Sequence, residues 1–413
     1  MKRRDLERRE DLRERLRRLG MVRGVRALPP SQRRRVSLES VVQGRFHETS
    51  HGRCFLVEEH LPIHHHHGDL PLGAFLDLDP NILSLLGGDP CPADVDLEHA
   101  LFLDTETTGL SAGTGTMAFL VGLGFFERDR FRVVQIFLRD PGDEPAMITF
   151  LADILPRFKM LVTFNGRGFD VPILENRFIL ARRPFPLAAV PHVDLLPPSR
   201  RLWRFRLTSC ALGSLEREVL GVERDQADIP SGVIPRVYLD YLRTGDAREI
   251  PRILYHNRID VLSMVTLAAR LGRALAMPEG LGGPDLYALA RWYGKENTEQ
   301  FLRKALTSGL PAHLRLRALR DLALLLKRAG RRGEATEWWQ QLALEDPLGI
   351  LAPVELAKIF EWHIPRFDLA LRWTKVALAR ARRWPPGPRR ERALEALERR
   401  LSRLQRKRRY NQS

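Results

Sequence analysis

The sequence predicts an α/β body followed by an all-helical region. Three apolar segments, LFLDTE, TMAFLVGLGFFE and FRVVQIFL, follow one another from 101 to 138. A helical pattern over about 144 to 157 and a further strand, MLVTFN, come next, and helical segments dominate from 170 onward. Strands in succession, then helix, strand and helix, imply a sheet flanked by helices with functional groups at strand ends. Beyond the Pro/Gly-rich stretch MPEGLGGPD, 277 to 285, the pattern is wholly helical, and 413 residues exceed one compact core, so two or three domains are expected.

Taken in order, residues 1 to 40 form a basic arm and 41 to 63 read as two strands joined by a turn near His51 and Gly52. Four consecutive histidines follow, His64 to His67; adjacent histidines without a spaced partner make a poor metal site. The glycines of GTGTMAFLVG, 113 to 122, lack the GK[ST] ending of a phosphate loop and lead into a strand, so they read as turn glycines.

Composition excludes several classes. The cysteines Cys54, Cys91 and Cys210 lie far apart with no CxxC pair, against a disulfide framework or zinc ribbon and in favour of a reduced, cytoplasmic setting. The uncharged run 107 to 126 contains only ten consecutive apolar or glycine residues, MAFLVGLGFF, too few to span a bilayer, and no secretory signal is expected at the N-terminus. The net charge of +16 is terminal: residues 1 to 40 carry fourteen Lys or Arg against six Asp or Glu, and 380 to 413 carry thirteen against three. Such arms attract polyanions through phosphate contacts, or serve as solvated helices laced by (i, i+4) pairs.

The chemistry concentrates in FLDTETTGL. On a strand Asp104 and Glu106 share a face, and two such charges about 5 Å apart repel by about 3 kcal/mol at an effective dielectric near 20. A hard divalent cation with oxygen ligands would offset that. Further carboxylates occur in FNGRGFDVPILENRF, where Asp170 opens a helix after Asn165, and in YHNRIDVLSMVTLAARL, where Asp260 lies four residues after His256 on one helix face. Carboxylates around a metal pair, with an imidazole or Tyr255 facing the attacking water, are a residue set for two-metal phosphodiester hydrolysis.

These motifs, DTETTGL, NGRGFD and YHNRID in this order, resemble the DEDD 3′ to 5′ exonucleases of the ribonuclease H-like fold. The resemblance spans about 100 to 271 and is closest to the YprB-type ribonuclease H-like domain of bacterial proteins; NGRGFD is also similar to the second exonuclease motif of family B DNA polymerases. It implies a ribonuclease H-like mixed sheet flanked by helices and a nuclease acting on DNA or RNA at a single-stranded 3′ end. Two Mg²⁺ or Mn²⁺ ions would be held by Asp104, Glu106, Asp170 and Asp260. Thr107, Thr108, Leu110 and Asn165 become candidate substrate contacts. The family's third motif places Tyr four residues before the Asp or His five before it, whereas here His256 stands at minus four and Tyr255 at minus five. His256 is therefore the expected base and Tyr255 the reserve. The exchange leaves altered polarity, endonucleolytic action, or a catalytically weak or inactive nucleic-acid or protein scaffold as alternatives.

Asp194 ends another apolar segment as a candidate neighbour of the site, while Glu175 and Asp240 read as helix-surface charges. In PPSRRLWRFRLTS, Trp203 and Phe205 interleave with Arg200, Arg201, Arg204 and Arg206, which suits either nucleic-acid contact or an amphipathic connector. Residues 316 to 347 resemble one tetratricopeptide unit through Leu322, Ala323, Leu326, Ala335, Trp339 and Pro347. A second unit follows with Leu356, Ala357, Phe360 and, after one inserted residue, Ala370. That resemblance implies a surface for a protein partner. The expected division is a basic arm (1–40), a hairpin-containing lead-in (41–100), the ribonuclease H-like domain (101–275), tetratricopeptide-like repeats (285–380) and a basic tail (381–413).

Overall fold

The computed structural model describes residues 35–87, 95–109, 115–225, 227–293 and 295–410. Its centre is a seven-stranded mixed sheet. The strands are β1 (Arg45–Thr49), β2 (Gly52–Pro62), β5 (Ala100–Thr107), β6 (Ala118–Glu127), β7 (Arg130–Phe137), β8 (Met160–Thr163) and β9 (His192–Asp194), with β3 (His66–His67) and β4 (Leu70–Pro71) forming a separate small pair. The order is β1-β2-β7-β6-β5-β8-β9. The first five are antiparallel, joined in sequence as β1-β2 and β5-β6-β7 with β2 pairing across to β7, and β8 and β9, reached through helices, lie parallel to β5. The hairpin of the expected lead-in therefore extends the central sheet through β2 and β7.

The fourteen described α-helices are numbered in chain order. Those of the sheet region are α1 (Pro80–Gly87), α2 (Glu144–Ile154), α3 (Asp170–Leu180), α4 (Leu196–Trp203), α5 (Leu212–Leu215), α6 (Ile234–Thr244) and α7 (Ile250–Ala276). The helical region comprises α8 (Gly283–Trp292), α9 (Lys295–Thr307), α10 (Ala312–Arg328), α11 (Arg332–Glu345), α12 (Leu351–Trp362), α13 (Phe367–Arg382) and α14 (Pro388–Tyr410), each packed against the next. Residues 388 to 410 of the expected tail thus form a helix seated on its neighbours through buried Leu397 and Leu404.

Alternation along β5 decides where the site lies. Leu101 and Leu103 point into one core with Ile173 and Leu174 of α3, whereas Phe102 points into the other with Val261 and Val265 of α7. Asp104 and Glu106 continue the Phe102 row and so face α7. That helix lies close to the sheet because β6 is glycine-bearing beneath it: a Cβ on Gly122 would stand 2.2 Å from Asn257 Oδ1, and one on Gly124 would stand 2.4 Å from Val261 Cγ1. Gly122 is thus a close-approach residue inside a strand, a correction to its reading as a turn glycine.

The stretch 197 to 209 is the joint between sheet and helical region. Trp203 is buried, Phe205 packs on Tyr287 of α8 with ring centroids 5.2 Å apart, Arg201 donates to the Trp292 carbonyl at 2.9 Å, and Arg206 pairs with Asp285 at 3.1 Å. Trp203 cannot stack on a base in this position; the connector reading applies to it.

Candidate active site

β5 runs past its parallel partner. Pairing with β8 ends at Phe102–Val162, which leaves the Thr105 N–H beyond the ladder. Asp170, in the first turn of α3, takes it: Oδ1 accepts from Thr105 N at 3.0 Å and from Thr105 Oγ1 at 2.5 Å. Its position depends on the preceding loop, whose Asn165 sits at φ +67°, a left-handed conformation that Asn tolerates better than most residues. Asp194, at the end of β9, braces that loop by accepting from Asn165 N at 2.7 Å and Arg167 N at 3.2 Å, and from Leu196 N at 3.1 Å. Asp194 is thereby a support for the Asp170 loop.

From the α7 face, Asn257 spans the cross-strand row Asp104, Gly122, Gln135. Gln135 Nε2 donates to Asn257 Oδ1 at 2.8 Å, which orients the carboxamide so that Nδ2 donates to Asp104 Oδ2 at 2.7 Å. One residue earlier, His256 Nε2 lies 3.9 Å from Glu106 Oε1 and 3.6 Å from Asp260 Oδ2, with Ser231 Oγ at 3.1 Å. Its Nδ1 lies 2.7 Å from Asp228 Oδ1, an acceptor, and 3.0 Å from Arg224 Nη1, a donor, and its Nε2 faces the two acids.

Tyr255 points elsewhere: its hydroxyl accepts from Asp225 N at 2.9 Å and pins the loop before α6. That loop supplies Arg224, whose guanidinium bonds Asp260, lies 2.6 Å from buried Glu216 and 3.0 Å from His256 Nδ1. A hydrogen-bond chain continues from Glu216 through Ser263 at 2.7 Å to His67 at 2.8 Å. The last of the four histidines thus ties the small hairpin to α7, and burial lowers its pKa to about 4, keeping it neutral.

The electrostatics unite the four acids. Burial pushes Asp104 well above the usual carboxylate range, and Asp260, Asp170 and Glu106 push it further. Glu106 is raised by burial and then by Asp260 and Asp170, and Asp170 is raised to about 6, chiefly by burial. Burial also raises Asp260, opposed by His256 and Arg224. The Glu106 and Asp260 side chains retain 13% and 16% exposure, enough for access from the rim. As the side chains stand among the described residues, no three His, Cys, Asp or Glu groups close on a common ion position, with Asp260 turned to Arg224. The donor set itself, four carboxylates sharing one low-dielectric space, is the oxygen-only kind that hard divalent cations take.

The flanking threonines shape the loop. Thr107 Oγ1 donates to Gly109 O at 2.6 Å, and Thr108 closes a pair with Met117 through its N–H, 2.9 Å, and Oγ1, 3.1 Å. Leu110 lies outside the described residues. Sequence reasoning missed Arg224, Asp228, Glu216 and Asn257. Asn257 stood within YHNRID three residues before Asp260, a helical spacing that marks a shared face.

A family model described as the RNase_H superfamily matches residues 101–272. Over 372 residues the chain is 31% identical to "Uncharacterized protein YprB" of Bacillus subtilis (strain 168), covering 86% of each chain. The chain belongs to the YprB family. The matched range contains Asp104, Glu106, Asp170, His256 and Asp260. No helix among the described residues is long and apolar enough to cross a membrane.

Proposed function

We propose that this protein is a metal-dependent nuclease that hydrolyses phosphodiester bonds of DNA or RNA, working from the 3′ end of a single strand in the manner of DEDD exonucleases. The observation that supports it most is the joint burial of four carboxylates, with Asp104 and Glu106 each raised further by Asp260 and Asp170. These four would hold two Mg²⁺ or Mn²⁺ ions, which when bound supply Lewis-acid polarisation of the phosphate and a more acidic water. His256 Nε2 takes a proton from the attacking water, while Asp228 at 2.7 Å holds the ring by Nδ1 and favours the imidazolium that forms. Asn257 keeps the Asp104 carboxylate in one rotamer. Tyr255, its hydroxyl on the Asp225 backbone, supports the Arg224 loop. Thr107, Thr108, Leu110 and Asn165 are the proposed contacts of the terminal nucleotide.

The helices from α8 onward are read as tetratricopeptide-like repeats, because Leu322, Ala323, Leu326, Ala335, Trp339, Leu356, Ala357, Phe360 and Ala370 are all buried at the expected interval. They would offer a face to a protein partner, and the proposed setting is the cytoplasm. A weak or inactive scaffold is the second reading, favoured by the Arg224 guanidinium bonded to Asp260.

The deciding experiment incubates purified protein with Mg²⁺ or Mn²⁺ and 5′-labelled single strands of DNA and RNA. A ladder of shortened products, lost in Asp104→Ala and Asp170→Ala with binding retained, is expected. A 3′-blocked strand should resist. Full-length substrate under every metal condition would reject the enzyme in favour of the scaffold.

A further inference from the structure

At the joint between the sheet region and the helical region lies a cleft of about 500 Å³ lined by Arg204, Phe205, Tyr287, Arg291, Arg317 and Arg320. Four guanidiniums line this space, and the carboxylate bonded to two of them and to the Tyr287 hydroxyl is Asp321. That carboxylate is already engaged by the Tyr287 hydroxyl at 2.8 Å, Arg320 Nη2 at 2.9 Å and Arg291 Nη1 at 3.5 Å. Arg204 and Arg317 are exposed, and among the described residues neither has a carboxylate at ion-pair distance. Among the described residues the surplus positive charge is therefore uncompensated.

We propose that this cleft is a second binding site for the nucleic-acid strand, holding its phosphodiester backbone away from the hydrolytic centre. The inference rests on the polynucleotide substrate proposed above. Its chemistry selects backbone over bases. The Arg204 guanidinium already covers the Phe205 ring at 4.8 Å from the centroid, and Tyr287 is buried beneath Arg291 at 6.0 Å, so neither aromatic face is open to a base. What remains presented is a set of planar guanidinium donors that fit phosphate oxygens and carry no sequence information.

Placement supports the same ligand. Leu196, the first residue of α4, bonds Asp194, which braces the Asp170 loop; α4 then runs to Trp203 and delivers Arg204 at its end. Eight residues of helix rise separate the two, about 12 Å. The helix that begins beside the brace of the Asp170 loop thus ends at the arginines of the cleft. Because the cleft joins elements from both regions, Arg204 on one side and Arg291, Arg317 and Arg320 on the other, a strand seated there also bridges them.

The test measures anisotropy of fluorescein-labelled single strands of graded length on the full chain, in EDTA so that cleavage does not enter. It compares wild type with Arg204→Gln/Arg317→Gln and, as an equal-charge control, Arg372→Gln/Lys375→Gln on α13. Expected is a tenfold or greater loss of affinity for long strands in the cleft variant alone, with little change for the shortest. The slope of log K against log salt should fall by about 1.4, two phosphates at about 0.7 each. Unchanged melting would show that the exposed substitutions leave the fold intact. Equal affinity of wild type and cleft variant at every length would overturn the site and leave the nuclease reading standing. Cleft-dependent binding without metal-dependent cleavage would sink the nuclease reading while upholding the site. Fluorescein-labelled polyglutamate is titrated in parallel, and its cleft-dependent binding with none of nucleic acid would overturn the proposal in favour of an acidic protein ligand.

Discussion

Asp170 titrates near pH 6 because it is buried, whereas an unfolded aspartate titrates near 4. Over that interval the folded chain holds a proton the unfolded chain has released, so stability falls as pH rises from about 4 to about 6, by up to about 3 kcal/mol from this group. Asp170→Asn removes the titration and keeps an oxygen for the Thr105 N–H and hydroxyl. In EDTA the variant should melt above wild type at pH 8 and together with it near pH 4, by calorimetry. A constant offset at all pH values would refute burial as the cause. At the same scale, His256→Gln should lower kcat by about 10²- to 10⁴-fold, the range for a general base. Asp228→Asn should cost less, since the ring remains between Ser231 and the acids. A Tyr255→Phe variant retaining kcat would agree with its hydroxyl lying on the Asp225 backbone.

Among elements, α7 depends on β6 having no side chain beneath Asn257. Gly122→Ala inserts a methyl 2.2 Å from Asn257 Oδ1, and Gln135 and Asp104 hold that carboxamide on both sides. The helix must lift, at about 1 to 3 kcal/mol. Adding Asn257→Ala makes room for the methyl, so the double variant should be more stable than the sum of the single effects by urea denaturation; strict additivity would mean the clash lies elsewhere. This contact also marks the limit of sequence reading. The DxE pair and the His256–Asp260 pair were legible because strand and helix periods are local geometry. Gly122 was misread because GTGTMAFLVG looks like a turn when the helix above it is unknown. Arg224 and Asp228 lie in an aperiodic stretch, GVERDQAD, and acquire their roles only when tertiary folding lays it against α7. The sheet order itself was not legible: nothing in residues 41 to 63 shows that their hairpin pairs with β7.

For the whole molecule, the question is whether the helical region is fastened to the sheet region or only tethered to it. The fastening residues are those of α4 and its successor loop. Asp285, with 6% of its side chain exposed, is raised by burial, opposed only in part by Arg206, itself about one-third exposed. Removing the arginine leaves a carboxylate desolvated without a partner, and screening of the exposed half of the pair reduces the cost of that to about 1 to 3 kcal/mol. Arg206→Ala should therefore weaken docking more than it weakens either region, since the buried Trp203 and the helix-to-helix packing from α8 to α14 are untouched. The expected signature is a calorimetric transition that broadens or divides in two, with α8 amides exchanging hydrogen faster while β5 and β6 keep their protection. Arg206→Ala/Asp285→Asn, which removes the stranded charge, should restore most of the coupling. If the single variant instead unfolds in one transition shifted as a unit, the two regions share one cooperative core and the ion pair is incidental to their union.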